Sequence, residues 1–316
     1  MQKLSLIDTH CDTAYELYHR KENIADNSCD ISIKKAERYE KYAQFFAVWA
    51  NKRLNDNDAY EEFLKITDYF NADLSLYSDK ISAVRSFDDL KNAWDSNKIA
   101  AFLAVEDARI LAGRIERLDE LYNRGVRYLT LMWGGTSCIG GSHNTSGGLT
   151  DFGKEVVKKC FEKGILPDIS HSNEKTSDDV ISIAYEYHKP FIATHSNSYS
   201  VFPHTRNLRD RHLKSLTELG GIVGISLCPY HLKDMSDGKC GVDDIVRHID
   251  RYMELGAENS LGLGCDLDGT SLPDGFGGVN DLYIIAEALS AHGYPDELIE
   301  KIFAKNYYMF IKNNLN

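Results

Sequence analysis

Near the start of the chain, Asp8, His10 and Asp12 fall at alternate positions directly behind the apolar residues Leu4, Leu6 and Ile7. In extended backbone, residues two apart face the same way. His10 and Asp12 would then project together from the end of a buried strand, with Cys11 turned away. The spacing also fits a helix start, Asp12 or Thr13 capping the stretch AYELYHRK. Polar residues of the same kind stand where other apolar runs end: Glu106 closes IAAFLAVE, His171 follows ILPDIS, His195 follows PFIAT and Asp266 closes SLGLGCD. Imidazole and carboxylate without thiolate is the donor set for Zn²⁺, or for Mn²⁺, Co²⁺ or Fe²⁺, in an open catalytic site. His10, Asp12, Glu106, His171 and His195 are too many donors for one tetrahedral ion that also holds a water. They suit two ions sharing a carboxylate, with Glu106 the best bridge, and leave Asp266 free to move protons. Metal-assisted hydrolysis is the chemistry such a set performs.

These residues need elements to bring them together. Candidate strands are read at 4–10, 43–50, 99–106, 126–133, 165–171, 190–196, 221–228 and 260–266, with amphipathic helical stretches between them. Gly125, Gly164, Gly220 and Gly256 each stand just before a strand, where glycine suits a left-handed helix C-cap. Apolar strands alternating with helices imply a parallel sheet covered by helices. Eight such units predict an α/β fold, a TIM-type (β/α)8 barrel forming a single domain over 1–316, whose catalytic groups gather at the C-terminal strand ends. An open doubly wound sheet is the rival, weakened because no GxGxxG follows the first strand.

Bulk properties narrow the function classes. A formal net charge of −12 over 316 residues argues against a nucleic-acid binder, which needs a basic surface. No run approaches the roughly 20 apolar residues of a membrane span. The N-terminus lacks the pattern of a signal peptide, and the C-terminal MFIKNNLN is not an anchor tail, so a free cytoplasmic enzyme is expected. The 7 cysteines are scattered without CxxC spacing and read as reduced, mostly buried thiols.

The stretches DTHCDT, LAVED, LPDISHSN, ATHSNSYSV with the following TRNL, and LGLGCDLDG together resemble the membrane (renal) dipeptidase family of zinc metallopeptidases. They occur in that family's order, from about Leu4 to about Asn306. The resemblance implies two zinc ions per chain, bridged by Glu106 and a water or hydroxide, with His10 and Asp12 on the first ion and His171 and His195 on the second. It implies Asp266 as the proton-transfer carboxylate and Arg206, in HTRNL, as the clamp on a dipeptide's terminal carboxylate. It further implies free dipeptides as substrates, including some with C-terminal D-residues, and a homodimer. One departure stands out: family members carry a histidine after the fourth strand, where this chain has Trp133. His143, in the glycine-rich GGSHNTSGG, is the residue expected to replace it in part, against the simpler reading of an exposed loop histidine. Tyr230 and His231 in SLCPYHLKD are further candidates for substrate contact, Tyr230 being the one carried forward. Two other readings stay open. One is a different amidohydrolase-type reaction, such as that of a lactonase, deaminase or acyl-amino-acid hydrolase. The other is a catalytically weak metal- or peptide-binding relative.

Overall fold

The computed structural model describes residues 3–236 and 238–316. Its strands are β1 (Leu6–Cys11), β2 (Tyr42–Trp49), β3 (Ile81–Ala83), β4 (Ile99–Glu106), β5 (Val126–Thr130), β6 (Leu166–Asp168), β7 (Ile192–Ala193), β8 (Ile222–Ile225) and β9 (Leu261–Leu263). All pair in parallel in the order β2-β1-β9-β8-β7-β6-β5-β4-β3. Pairing of β2 with β4, from Ala43 opposite Ala100 to Trp49 opposite Glu106, closes eight of them into a barrel. The expected (β/α)8 barrel is the fold.

β3 lies outside the eight and went unread in the sequence. It takes the N-terminal part of the β4 edge, Ile81 opposite Ile99 through Ala83 opposite Ala101, while β5 pairs the C-terminal part from Leu103 to Glu106. Three half-covered residues carry too little periodicity to announce a strand. The amphipathic stretch expected between the strands at 99–106 and 126–133 divides into a 3-10 turn at Ala108–Leu111 and a helix at Arg117–Arg124, broken at Ala112 and Gly113, both with positive φ.

Alternation along the strands separates two layers. Ala100, Phe102 and Ala104 belong to the apolar cluster inside the barrel with Phe45, Tyr128 and Tyr307, whereas Ala101, Leu103 and Val105 pack against the helices. Glu106 has the inward parity, so the same pleat that buries Phe102 aims the Glu106 carboxylate at the barrel axis. The predicted glycine caps occur: Gly125, Gly164, Gly220 and Gly256 all have positive φ. All seven cysteines are free, and six of them are buried. Among the described residues no helix is long and apolar enough to cross a membrane.

Candidate metal centre

Several strands stop short of their apolar runs, and the polar rim begins there. The run 165–171 forms only Leu166–Asp168, because Asp168 Oδ1 accepts from the backbone N–H of Ser170 and of Thr194, each at 2.9 Å. Side-chain bonds thus replace ladder bonds where the chain must turn ligands inward. At β1 the inward residues Ile7 and Thr9 would by strict alternation leave His10 facing out. The register against β2 shifts between Asp8 and Cys11, and the irregular step turns His10 inward as well. His171 and Asp266 reach the rim from left-handed backbone, with φ of 67° and 61°. Non-glycine residues hold that conformation at a cost, which marks this rim as functional.

The side chains converge as the sequence predicts. His10 Nε2 lies 3.6 Å from Glu106 Oε1 and 3.8 Å from both Asp12 Oδ2 and Asp266 Oδ1. Glu106 Oε1 is also 3.0 Å from His171 Nε2 and 3.2 Å from His195 Nε2. Ligand atoms group as His10, Asp12 and Glu106; as Glu106, His171 and His195; and as His10, His195 and Asp266. Glu106 is common to the first two groups. Asp12 does precede the helix Thr13–Arg20, but its side chain makes no capping bond and faces His10 instead.

Hydrogen bonds beneath the rim settle which ring nitrogen faces the centre. Tyr128 donates its hydroxyl proton to the carbonyl of Thr9 (2.9 Å), so at 2.8 Å it must accept from His10 Nδ1–H. Thr194 donates its one proton to Asp168 Oδ2 (2.6 Å), so at 2.8 Å it accepts from His195 Nδ1–H. His171 Nδ1 donates to the carbonyl of Trp133 (3.1 Å). All three rings therefore point an Nε2 lone pair inward. His171 and His195 aim theirs at each other across 3.0 Å, and His10 Nε2 and Asp12 Oδ1 are buried without a partner. Buried acceptors without a donor are costly, and a divalent cation relieves that cost. The residues fit zinc.

Electrostatics agree. Burial works against a charge on His10, but Glu106, Asp12 and Asp266 outweigh it and push its pKa up to about 10. The field that draws a proton to His10 is the field in which a cation would sit. Burial, with Arg206, holds His171 and His195 far below the ordinary histidine range. Burial and the nearby Asp12 lift Asp266 to about 7, although His10 and Arg206 pull the other way.

Above this floor opens a cavity of about 510 Å³ that also meets Arg206, His143, Trp133 and His231. Arg206 is buried, donating to Ser196 Oγ at 3.1 Å and to the His195 carbonyl at 3.0 Å, while its Nε has no partner. His143 is not an exposed loop residue. Its N–H binds the His171 carbonyl at 2.7 Å, its ring lies 5.8 Å from that of His171, and burial with Arg206 holds its pKa down to about 4. Tyr230 is not brought to the site: it is 61% exposed, and the short helix Pro229–Leu232 turns His231 to the cavity in its place. Helical geometry sends neighbouring residues in different directions, which the quoted SLCPYHLKD does not reveal. Asp168, Thr194 and Tyr128 were missed as supports, although an aspartate two or three residues before a histidine, as in DTH and DISH, was the available signal.

The family model described as membrane dipeptidase (peptidase family M19) matches residues 1–314. An uncharacterised protein of the pqqA 5' region in Klebsiella pneumoniae is 31% identical over 237 residues, covering 71% of this chain and 86% of that protein. Dipeptidase tcpJ of Claviceps purpurea is 25% identical over 307 residues, covering 92% of this chain and 71% of that one. The crystal structure of dipeptidase AC, a metallopeptidase of family M19, superposes with a TM-score of 0.91 at 25% identity over 99% of both chains. A Rhodobacter sphaeroides metallopeptidase liganded with a phosphinate mimic of L-Ala-D-Ala shares the fold at a TM-score of 0.90 and 24% identity, over 99% of this chain and 100% of that one. Matched over nearly its whole length, the chain belongs to the membrane dipeptidase family, peptidase family M19.

Proposed function

We propose that the chain is a binuclear zinc dipeptidase that hydrolyses the peptide bond of free dipeptides, C-terminal D-residues included. The observation that carries this reading is the convergence of three Nε2 lone pairs on one carboxylate, each ring fixed by a donor bond at Nδ1. Glu106 belongs to two of the ligand groups, so in this reading His10, Asp12 and Glu106 would hold one ion and Glu106, His171 and His195 the other. Zinc in such a site supplies polarisation of a carbonyl oxygen and activation of water at neutral pH.

The protein's own groups do the rest. Arg206 receives the terminal carboxylate through a guanidinium already oriented by Ser196 and the His195 carbonyl. A clamp on that carboxylate does not by itself read the hand of the residue bearing it. Asp266, lifted to about 7, can take a proton from the attacking water and return it to the leaving amine near neutral pH. His143 stays neutral and offers its ring to the substrate carbonyl, the part we assign it in place of the histidine that Trp133 displaces. A homodimer, implied by the family resemblance, is the proposed assembly, and light scattering checks it.

The test joins metal analysis to a dipeptide assay. Protein stripped and reloaded with zinc is expected to hold two ions per chain, to cleave L-Ala–L-Ala and L-Ala–D-Ala, and to refuse N-acetylated dipeptides. Two ions without cleavage would move the substrate to another amide or lactone. Failure to bind zinc after reloading would sink the site. His143→Ala is expected to lower kcat/KM, and an unchanged value would remove His143 from the mechanism.

A further inference from the structure

The reading above fixes the direction in which a dipeptide lies, and this inference rests on it. Arg206 and His143 border the same cavity wall. From there a row of rings runs around the rim. His143 is 5.8 Å from His171, His171 is 6.1 Å from Trp133, Trp133 is 5.1 Å from Trp49 and Trp49 is 5.4 Å from Tyr15. With its carboxylate on Arg206 and its scissile bond over Glu106, a dipeptide directs its N-terminal residue to the far end of that row. There Tyr15, Trp49 and Trp133 all line the cavity and all keep part of their surface exposed to it.

Aromatic surface left open to water is a cost unless something covers it. The rings of Trp49 and Trp133 meet edge to face at 60°, leaving an angled recess that a third ring fills by offset or edge contact. The indole N–H of Trp49 has no partner. Lys52 Nζ already stands 5.2 Å from the centre of the Trp133 ring, so a second cation there would be repelled. At the Trp133 face the recess therefore disfavours a flat cation, while Glu16, which lines the same cavity, stands on the Tyr15 side. We propose that Tyr15, Trp49 and Trp133 form the subsite for the substrate's N-terminal side chain, and that the enzyme prefers a neutral aromatic residue there. Trp133 is then a specificity-determining residue.

Kinetics of the zinc-loaded chain with L-Phe–L-Ala, L-Ala–L-Ala and L-Ala–L-Phe test this. L-Phe–L-Ala is expected to exceed L-Ala–L-Ala in kcat/KM by about tenfold or more, mostly through KM, as burial of a phenyl ring predicts. L-Ala–L-Phe should gain nothing comparable. Trp133→Ala should bring the ratio close to one, and Trp133→Phe should keep most of it. Lys52→Ala, at an exposed position that does not threaten folding, should raise kcat/KM for L-Arg–L-Ala relative to L-Ala–L-Ala. Equal kcat/KM for L-Phe–L-Ala and L-Ala–L-Ala, or a ratio unmoved by Trp133→Ala, overturns the proposal. So does an L-Arg–L-Ala value indifferent to Lys52→Ala. Tryptophan fluorescence with the uncleavable reduced-bond analogues of Phe–Ala and Ala–Ala separates the two readings. Tighter binding of the Phe analogue without turnover of any dipeptide would remove the dipeptidase reading and keep the subsite. Equal binding would remove the subsite whatever the turnover.

Discussion

Each histidine of the rim is held by a different acceptor: a phenol for His10, a backbone carbonyl for His171, and a hydroxyl backed by a carboxylate for His195. Asp168 receives four donors, from Thr130 Oγ1, Thr194 Oγ1 and the N–H groups of Ser170 and Thr194, so the Thr194 hydroxyl is committed as its donor. Thr194→Val keeps the shape and removes the acceptor for His195 Nδ1–H. It should weaken zinc affinity by about 10- to 100-fold in chelator competition, with Thr194→Ser restoring it. Asp266 allows a sharper separation of roles. If it moves protons, Asp266→Asn should lower kcat by roughly a hundredfold or more while the zinc content stays at the wild-type value. Loss of zinc in that variant would make Asp266 a ligand, as its 3.8 Å approach to His10 also permits.

At the scale of elements, the loop after β9 admits two carboxylates only because it lacks a side chain. A Cβ at Gly269 would collide with Asp12 Oδ2 and Asp266 Oδ1. Gly269→Ala should therefore abolish activity and disturb zinc binding while leaving the far-UV circular dichroism of the barrel unchanged. The helix Val242–Glu254 steadies the loop after β7 through His248, which accepts from Ser198 N–H at 3.0 Å and donates to the Leu232 carbonyl at 2.9 Å. Burial lowers its pKa to about 4 from the ordinary 6.5, against the pull of the Leu232 carbonyl. The unfolded chain takes this proton first, so the stability it represents is full above about 6.5 and is lost as pH falls towards 4. At pH 5 the loss from this group is about 2 kcal/mol. His248→Gln should lose correspondingly less stability than wild type between pH 7 and pH 5, as urea midpoints would show.

For the whole molecule, the proposed ligands come from the ends of β1, β4, β6 and β7, so bound metal would tie together parts of the chain as far apart as His10 and His195. Binding that exists only in the folded state adds to stability by mass action. Stripping the metal should lower the melting temperature by about 5 °C or more, and zinc should restore it. Aluminium, magnesium and other hard cations with little affinity for imidazole should restore much less.

The amino-acid sequence by itself determined the strand-and-helix alternation, the glycine caps and the polar residues that converge at the strand ends, because each is written in local periodicity or in a residue type at a strand end. His10, Asp12, Glu106, His171 and His195 were legible for that reason. Three things needed the tertiary structure. The irregular register of β1 decides that His10 faces the axis, and alternation alone gives the pairing of His10 with Asp12 but not the face. The supports at Tyr128, Thr194 and Asp168 are contributed by neighbouring strands, whose adjacency no local pattern states. The cavity takes His231 and leaves Tyr230 in solvent because one turn of helix sets their directions. Local spacing records what a residue can do, and long-range pairing decides what it meets.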